Sequence, residues 1–227
     1  MLVFQRKQLH SIKAIMFDMD GTLIDSIDVY HEIIRDIMDC LDMEMTLSRE
    51  ELFENLSQGK NLSDIFFPAH LNDRERAVEQ FRILAIRAFK KIFAEGTVEL
   101  IDGVDHLFEE LSSRGFSLAI VTSSSTEVIL PYLKTRKLEP YLNCVVGRKE
   151  VSRLKPFPDP LVKCMGILDV EPNQSVYVGD SVIDIQAGKA AGTWTGGVLT
   201  GTSDVESLKA EGPDVILDTV GDLLSIL

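Results

Sequence analysis

Asp18 and Asp20 stand one residue apart, directly after the apolar run Ala14-Ile15-Met16-Phe17. The run predicts a buried strand. In an extended chain residues i and i+2 share a side, and Gly21 ends the strand. The two carboxylates are therefore expected to aim at one point where a sheet gives way to a loop. Such a pair can hold a divalent cation between its oxygens. One member can also act as a nucleophile.

A scaffold has to position that pair. From about Ile27 to Thr97 the spacing is helical and no convincing strand is found. Val29 to Leu41 carries Ile33, Ile34, Ile37, Met38 and Leu41 at helical intervals. Ser48 to Leu56 and Asp73 to Phe93 read as helices, with Ser48 and Glu51 as a capping box. After Val104 the pattern alternates. Helices are predicted at Val104 to Ser113, Glu127 to Lys137, Pro158 to Leu168 and Val182 to Ala191. Strands are predicted at Phe116 to Val121, Leu142 to Val146, Ser175 to Val178, Trp194 to Leu199 and Asp214 to Leu217, before a last helix. This alternation implies an α/β fold, a parallel sheet with helices on both faces. The predicted division is a core of residues 1–26 and 98–227 with a helical insert at 27–97.

Ligands of such sheets bind beyond the carboxyl ends of the strands. The polar residues expected there form a coherent set. They are Asp18 and Asp20, then Thr122-Ser123-Ser124-Ser125, then Lys155 before Pro156, then Gly179-Asp180-Ser181 and Asp184. Acids, hydroxyls and one lysine suit a metal and a phosphoryl group. Ser125 could also cap the helix that follows it.

Bulk composition narrows the partners. The net charge is −13, from 23 basic and 36 acidic residues. Such a surface repels nucleic acid and anionic membranes, so any anion site must be locally positive. No apolar run approaches the roughly 20 residues of a membrane span. Met1 to Lys13 lacks a signal-peptide stretch. Cys40, Cys144 and Cys164 show neither zinc nor disulfide spacing, which fits a reducing cytoplasm. The four histidines, His10, His31, His70 and His106, match no catalytic pattern. A monomer or homodimer is expected.

The four stations resemble the motifs of the haloacid dehalogenase superfamily. The first is Asp18-Met19-Asp20-Gly21-Thr22-Leu23-Ile24-Asp25-Ser26, the second ends at Thr122, the third is Lys155-Pro156-Phe157-Pro158-Asp159-Pro160, and the fourth is Gly179-Asp180-Ser181-Val182-Ile183-Asp184. The insert resembles the helical cap of phosphoglycolate phosphatases and β-phosphoglucomutases. The resemblance implies a Rossmann-like core and a Mg²⁺-dependent phosphatase of a small phosphorylated metabolite, phosphoglycolate-like or a sugar phosphate. Asp18 would be the nucleophile, ionised because an ordinary carboxylate has a pKa near 4, and Asp20 the general acid and base. Lys155, Thr122 and Ser123 would bind the phosphoryl oxygens. Asp18, the Asp20 carbonyl and Asp180 would ligate Mg²⁺, with Asp184 holding a metal-bound water or orienting Lys155.

Lys60, in the insert loop Ser57-Gln58-Gly59-Lys60-Asn61, could reach a substrate carboxylate or sugar hydroxyl, or be an ordinary surface lysine. Two departures bear on the substrate. Ser123 stands where phosphoglycolate phosphatases usually carry asparagine. Tyr30 stands where the mutases carry histidine, with His31 one residue late, about 100° around a helix. A mutase and a pyrophosphatase remain alternatives. A dehalogenase needs neither Asp20 nor Asp180.

Overall fold

The computed structural model describes residues 11–58, 60 and 62–227; Met1 to His10, Gly59 and Asn61 lie outside the described residues. The apolar run forms strand β1, Ala14–Phe17, buried throughout. It is buried because it has parallel neighbours on both sides, Ser117–Val121 (β4) and Ser175–Gly179 (β6). A central parallel strand covered on both faces has no position for a polar residue. Successive side chains alternate between faces. Ile15 and Phe17 enter one apolar cluster with Leu107, Ile129 and Val178. Met16 enters another with Val121, Cys164 and Tyr177.

The sheet has six strands in the order β5-β4-β1-β6-β7-β8, all paired in parallel. The outer strands are β5 Leu142–Val146, β7 Trp194–Val198 and β8 Val215–Leu217. The chain runs outward from β1 through β4 to β5, then returns to the other side of β1 for β6, β7 and β8. The reversal opens a crevice beyond the carboxyl ends of β1, β4 and β6, where such sheets bind ligands.

Four helices lie between β1 and β4 in the stretch predicted to be helical. They are α1 Ile27–Cys40, α2 Arg49–Ser57, α3 Leu62–Phe66 and α4 Arg74–Glu95. They share an apolar cluster that includes Ile34, Leu52, Phe67 and Phe81. The capping box forms: Ser48 Oγ accepts from the Glu51 N–H at 3.2 Å, and the Glu51 carboxylate accepts from the Ser48 N–H at 2.9 Å. Short α3 was not legible in the sequence. Neither was the ribbon in which β2, Ile24–Asp25, pairs antiparallel with β3, Glu99–Leu100. It ties together the two passages of the chain between sheet and helices.

The crossover helices are α5 Val104–Ser113, α6 Thr126–Thr135, α7 Asp159–Leu168, α8 Val182–Ala191 and α9 Val205–Glu211. The predicted last helix is a 3₁₀ segment, Val220–Ser225. Trp194 opens β7 and packs, half-buried, against the core. Cys144 on β5 and Cys164 on α7 bring their sulfurs to 3.2 Å, a proximity their sequence spacing does not reveal; both thiols are free. Among the described residues no helix is long and apolar enough to cross a membrane.

Candidate active site

Lys155 is the hub of the crevice. Its Nζ lies 2.6 Å from Asp18 Oδ1 and 2.6 Å from Asp184 Oδ1, and it donates to the Tyr177 hydroxyl at 3.1 Å. All four side chains are buried. Asp18 is delivered by the end of β1, where its N–H bonds to the Val178 carbonyl at 2.8 Å. Asp184 comes from the first turn of α8. Its Oδ1 also accepts from the Tyr177 hydroxyl at 2.8 Å, and its Oδ2 accepts from the Ser181 N–H at 3.1 Å and from the Ser181 hydroxyl. With both oxygens engaged, Asp184 is built to hold Lys155.

Asp180 is fixed from the other side. Its Oδ1 accepts from the Thr22 hydroxyl at 3.2 Å, and its Oδ2 from the Thr202 N–H at 2.7 Å and the Thr202 hydroxyl at 2.9 Å. Glycines make the space. A Cβ at Gly201 would fall 2.0 Å from Asp180 Oδ2, and one at Gly179 would fall 2.4 Å from Asp184 Cβ. At Gly21 the backbone is left-handed, φ +76°, and a Cβ would also meet Asp180 at 2.8 Å.

Asp20 corrects one expectation. The regular strand ends at Phe17, and Met19 O accepts from the N–H groups of Thr22, Leu23 and Ile24 in a tight turn. The strand rule therefore no longer applies at Asp20, whose side chain is set by a turn rather than by extended chain. Asp20 Oδ1 accepts from the Ser26 hydroxyl at 2.8 Å. Its Oδ2 accepts from the hydroxyls of Tyr30 and Ser124, each at 3.2 Å. Asp18 and Asp20 border the same cavity.

Oxygens of Asp18, Asp180 and Asp184 lie within 4.8 Å of one another, a group able to hold a metal ion; the Asp20 carboxylate is not among them. The electrostatics fit a cation. Three buried carboxylates face a single ammonium, so full ionisation leaves unbalanced negative charge in a low-dielectric place. Burial pushes the Asp18 carboxyl well above the ordinary range; Lys155 opposes the rise, while Asp184, Asp180 and Asp20 add to it. Burial and Asp184 push Asp180 up to about 6, against the Thr202 hydrogen bonds. Burial raises Asp20 too, opposed by Ser26, Ser124 and Tyr30. Burial works against the charge on Lys155, yet Asp18 and Asp184 hold its ammonium above the usual lysine value. A cation beside these oxygens would offset the effect of burial on Asp18. All-oxygen donors suit Mg²⁺ or a similarly hard ion.

After β4, Thr122 is buried and its Oγ1 accepts from the Ser124 N–H at 3.0 Å. Ser123, Ser124 and Ser125 border the cavity. Ser125 is the N-cap residue of α6, but its side chain makes no capping bond. Its buried hydroxyl has no partner, which leaves a donor at a helix N-terminus for an anion. Lys60 lines the cavity, is exposed, and donates to Asn55 Oδ1 at 2.6 Å. Arg82, exposed, also borders the cavity while pairing with Glu79. Arg148 and Lys149 reach the same rim. Motif spacing does not reveal the supporting contacts of Ser26, Tyr30, Tyr177 and Thr202.

Residues 15–198 match the family model described as haloacid dehalogenase-like hydrolase. A pyrophosphatase, PpaX, from Anoxybacillus flavithermus is 34% identical over 219 residues, covering 96% of this chain and 97% of that one. A phosphoglycolate phosphatase from Salmonella typhimurium is 33% identical over 243 residues, covering 97% and 94%. Among solved structures, a predicted phosphoglycolate phosphatase from Haemophilus somnus superposes with a TM-score of 0.79 at 25% identity, covering 95% of this chain and 98% of that one. CbbY from Rhodobacter sphaeroides, solved with phosphate, gives 0.77 at 23% over 93% and 96%, a likeness of fold.

Proposed function

Because the chain belongs to the haloacid dehalogenase-like hydrolases, we propose that it is a Mg²⁺-dependent phosphatase of a small phosphorylated metabolite, acting through an aspartyl-phosphate on Asp18. The observation that carries this reading is the buried Asp18–Lys155–Asp184 chain beside Asp180, at the floor of a cavity. Asp18, Asp180 and the Asp20 carbonyl would hold Mg²⁺, with Asp184 acting on it through water or through Lys155. Bound there, the ion supplies positive charge that keeps Asp18 ionised and offsets repulsion between carboxylate and phosphate.

Asp18 attacks phosphorus, and the bond to the leaving oxygen breaks as Asp20 gives that oxygen its proton. Asp20 then takes a proton from water as the water oxygen attacks phosphorus. The Asp18–phosphorus bond breaks and inorganic phosphate leaves. Lys155, Thr122 and Ser123, with the α6 N-terminus, bind the equatorial oxygens. Residues 27–97 act as a cap over a core of 1–26 and 98–227, with hinges at Asp25-Ser26 and Thr97 to Gly103. Closure excludes bulk water. Lys60 contacts the substrate from the cap. The enzyme works in the cytoplasm as a monomer or homodimer. A second reading, hydrolysis of pyrophosphate, is supported by the similarity to PpaX. A mutase is less favoured, because a tyrosine hydroxyl rather than an imidazole meets Asp20.

A phosphate-release screen over phosphoglycolate, hexose and pentose phosphates, pyrophosphate and nucleotides tests this. Release is expected with Mg²⁺ and lost in excess chelator. Undiminished release in chelator contradicts the metal-assisted mechanism.

A further inference from the structure

The cavity over Asp18 is large and its walls do not suit a small anion. It encloses about 710 Å³, within the range that takes a drug-sized ligand. Asp18, Asp20, Lys155, Asp180 and Ser125 border it where the sheet ends, and exposed basic residues border it elsewhere. Much of the remaining lining is apolar. Leu56, Ile86 and Phe89 face it from the helical insert, Leu154 and Ile183 from the sheet side. Ile86, Leu154 and Ile183 are half-buried yet belong to none of the three apolar clusters of the fold. Their apolar area is left for whatever fills the cavity.

The cations point the same way. Besides Lys155, the basic residues bordering the cavity are Lys60, Arg82, Arg148 and Lys149, and all four are exposed. Arg82 is paired with Glu79 and Lys149 with Glu127. Among the described residues, a second anion such as the carboxylate of phosphoglycolate or the far phosphate of pyrophosphate would meet no buried cation beyond Lys155, only exposed ones such as Lys60 and Arg148, and an unpaired buried charge is costly. An apolar group would find a preformed surface.

Resting on the phosphatase reading above, we propose that the substrate is a phosphate monoester of an alcohol with an apolar body, aliphatic or aromatic. The body lies against Ile86, Leu154 and Ile183 while the phosphoryl group meets Asp18. Hydrolysis releases the free alcohol and inorganic phosphate.

A matched series tests this: ethyl, butyl, hexyl and 2-phenylethyl phosphates with Mg²⁺, beside phosphoglycolate and pyrophosphate. The parent alcohols have similar acidity, so leaving-group chemistry stays nearly constant and size varies. Burial of each methylene is expected to raise kcat/KM about fourfold until the cavity is filled. Butyl phosphate should outrun phosphoglycolate and pyrophosphate. Ile86→Asn, and independently Leu154→Asn on the facing wall, should cut the hexyl-to-ethyl ratio of kcat/KM at least about threefold. A thermal melt checks that each variant folds, and either one alone suffices.

A flat series with hydrolysis of phosphoglycolate or pyrophosphate overturns this proposal and leaves the phosphatase reading intact. No phosphate from any substrate with Mg²⁺ overturns the phosphatase reading itself. A rising series unchanged in both folded variants overturns the assigned wall.

Discussion

Lys155 can stay charged in a buried place only because Asp18 and Asp184 lie 2.6 Å on either side of it. The same carboxylates depend on it in turn. Two like charges about 4 Å apart repel by roughly 4 kcal/mol at an effective dielectric near 20, and Asp18 has Asp180 and Asp184 close by. One lysine cannot neutralise three acids, so on the proposed function the metal ion would have a structural as well as a chemical task. Asp20 lives by different contacts, three hydroxyls rather than a salt bridge. Tyr30 is the most telling of these donors, because it reaches the acid from α1 while its ring packs on Phe89 of α4, centroids 4.3 Å apart. Tyr30→Phe removes the hydroxyl and keeps that packing. If the hydroxyl orients Asp20 for proton transfer, kcat should fall about tenfold, the worth of one hydrogen bond in the transition state, with a smaller change in KM. Steady-state kinetics on the folded variant measures this, and an unchanged kcat removes Tyr30 from the proton-transfer machinery.

At the scale of elements, the loops after β1, β6 and β7 press together so closely that only glycine fits at three positions. Gly201→Ala is expected to push Asp180 out of its Thr202 cradle, destabilising the fold by about 1–3 kcal/mol as an overpacked core does, and to raise the Mg²⁺ concentration needed for half-maximal activity. Thermal melts and a Mg²⁺ titration read the two effects; wild-type values in both would contradict this account of the Asp180 niche. The six sheet strands and the longer helices were legible in the sequence. Ala14 to Phe17 is a contiguous apolar run, and the Ser48–Glu51 box needs only two residues three apart. The β2–β3 ribbon was not, since two residues per strand carry no period. Thr202 and Tyr177 could not be assigned because their partners depend on β6 lying beside β7 and beside β1, which no local pattern encodes. The setting of Asp20 follows from a turn closed on the Met19 carbonyl, invisible to a rule about extended chain. The missing cap at Ser125 has the same origin: its hydroxyl borders the cavity instead of turning back on α6.

Over the whole molecule, a net charge of −13 surrounds a site that must receive a dianion. Long-range attraction is therefore absent, and on the proposed function binding would rest on what lies inside the crevice: one buried lysine, a helix N-terminus and a metal ion held by the acids. The sheet order puts these groups at the reversal beside β1. On the proposed function, chemistry would sit in the sheet loops, and selectivity between α1, α4 and the segment before α7. The central claim is that Asp18 carries the phosphoryl group between substrate and water. The most direct measurement is an acid quench of the enzyme during turnover with Mg²⁺, followed by peptide mapping by mass spectrometry. A phosphoryl adduct on the peptide containing Asp18, absent from folded Asp18→Asn, is the predicted result. Turnover without an adduct at Asp18, together with Asp18→Asn releasing phosphate at the wild-type rate, would contradict it.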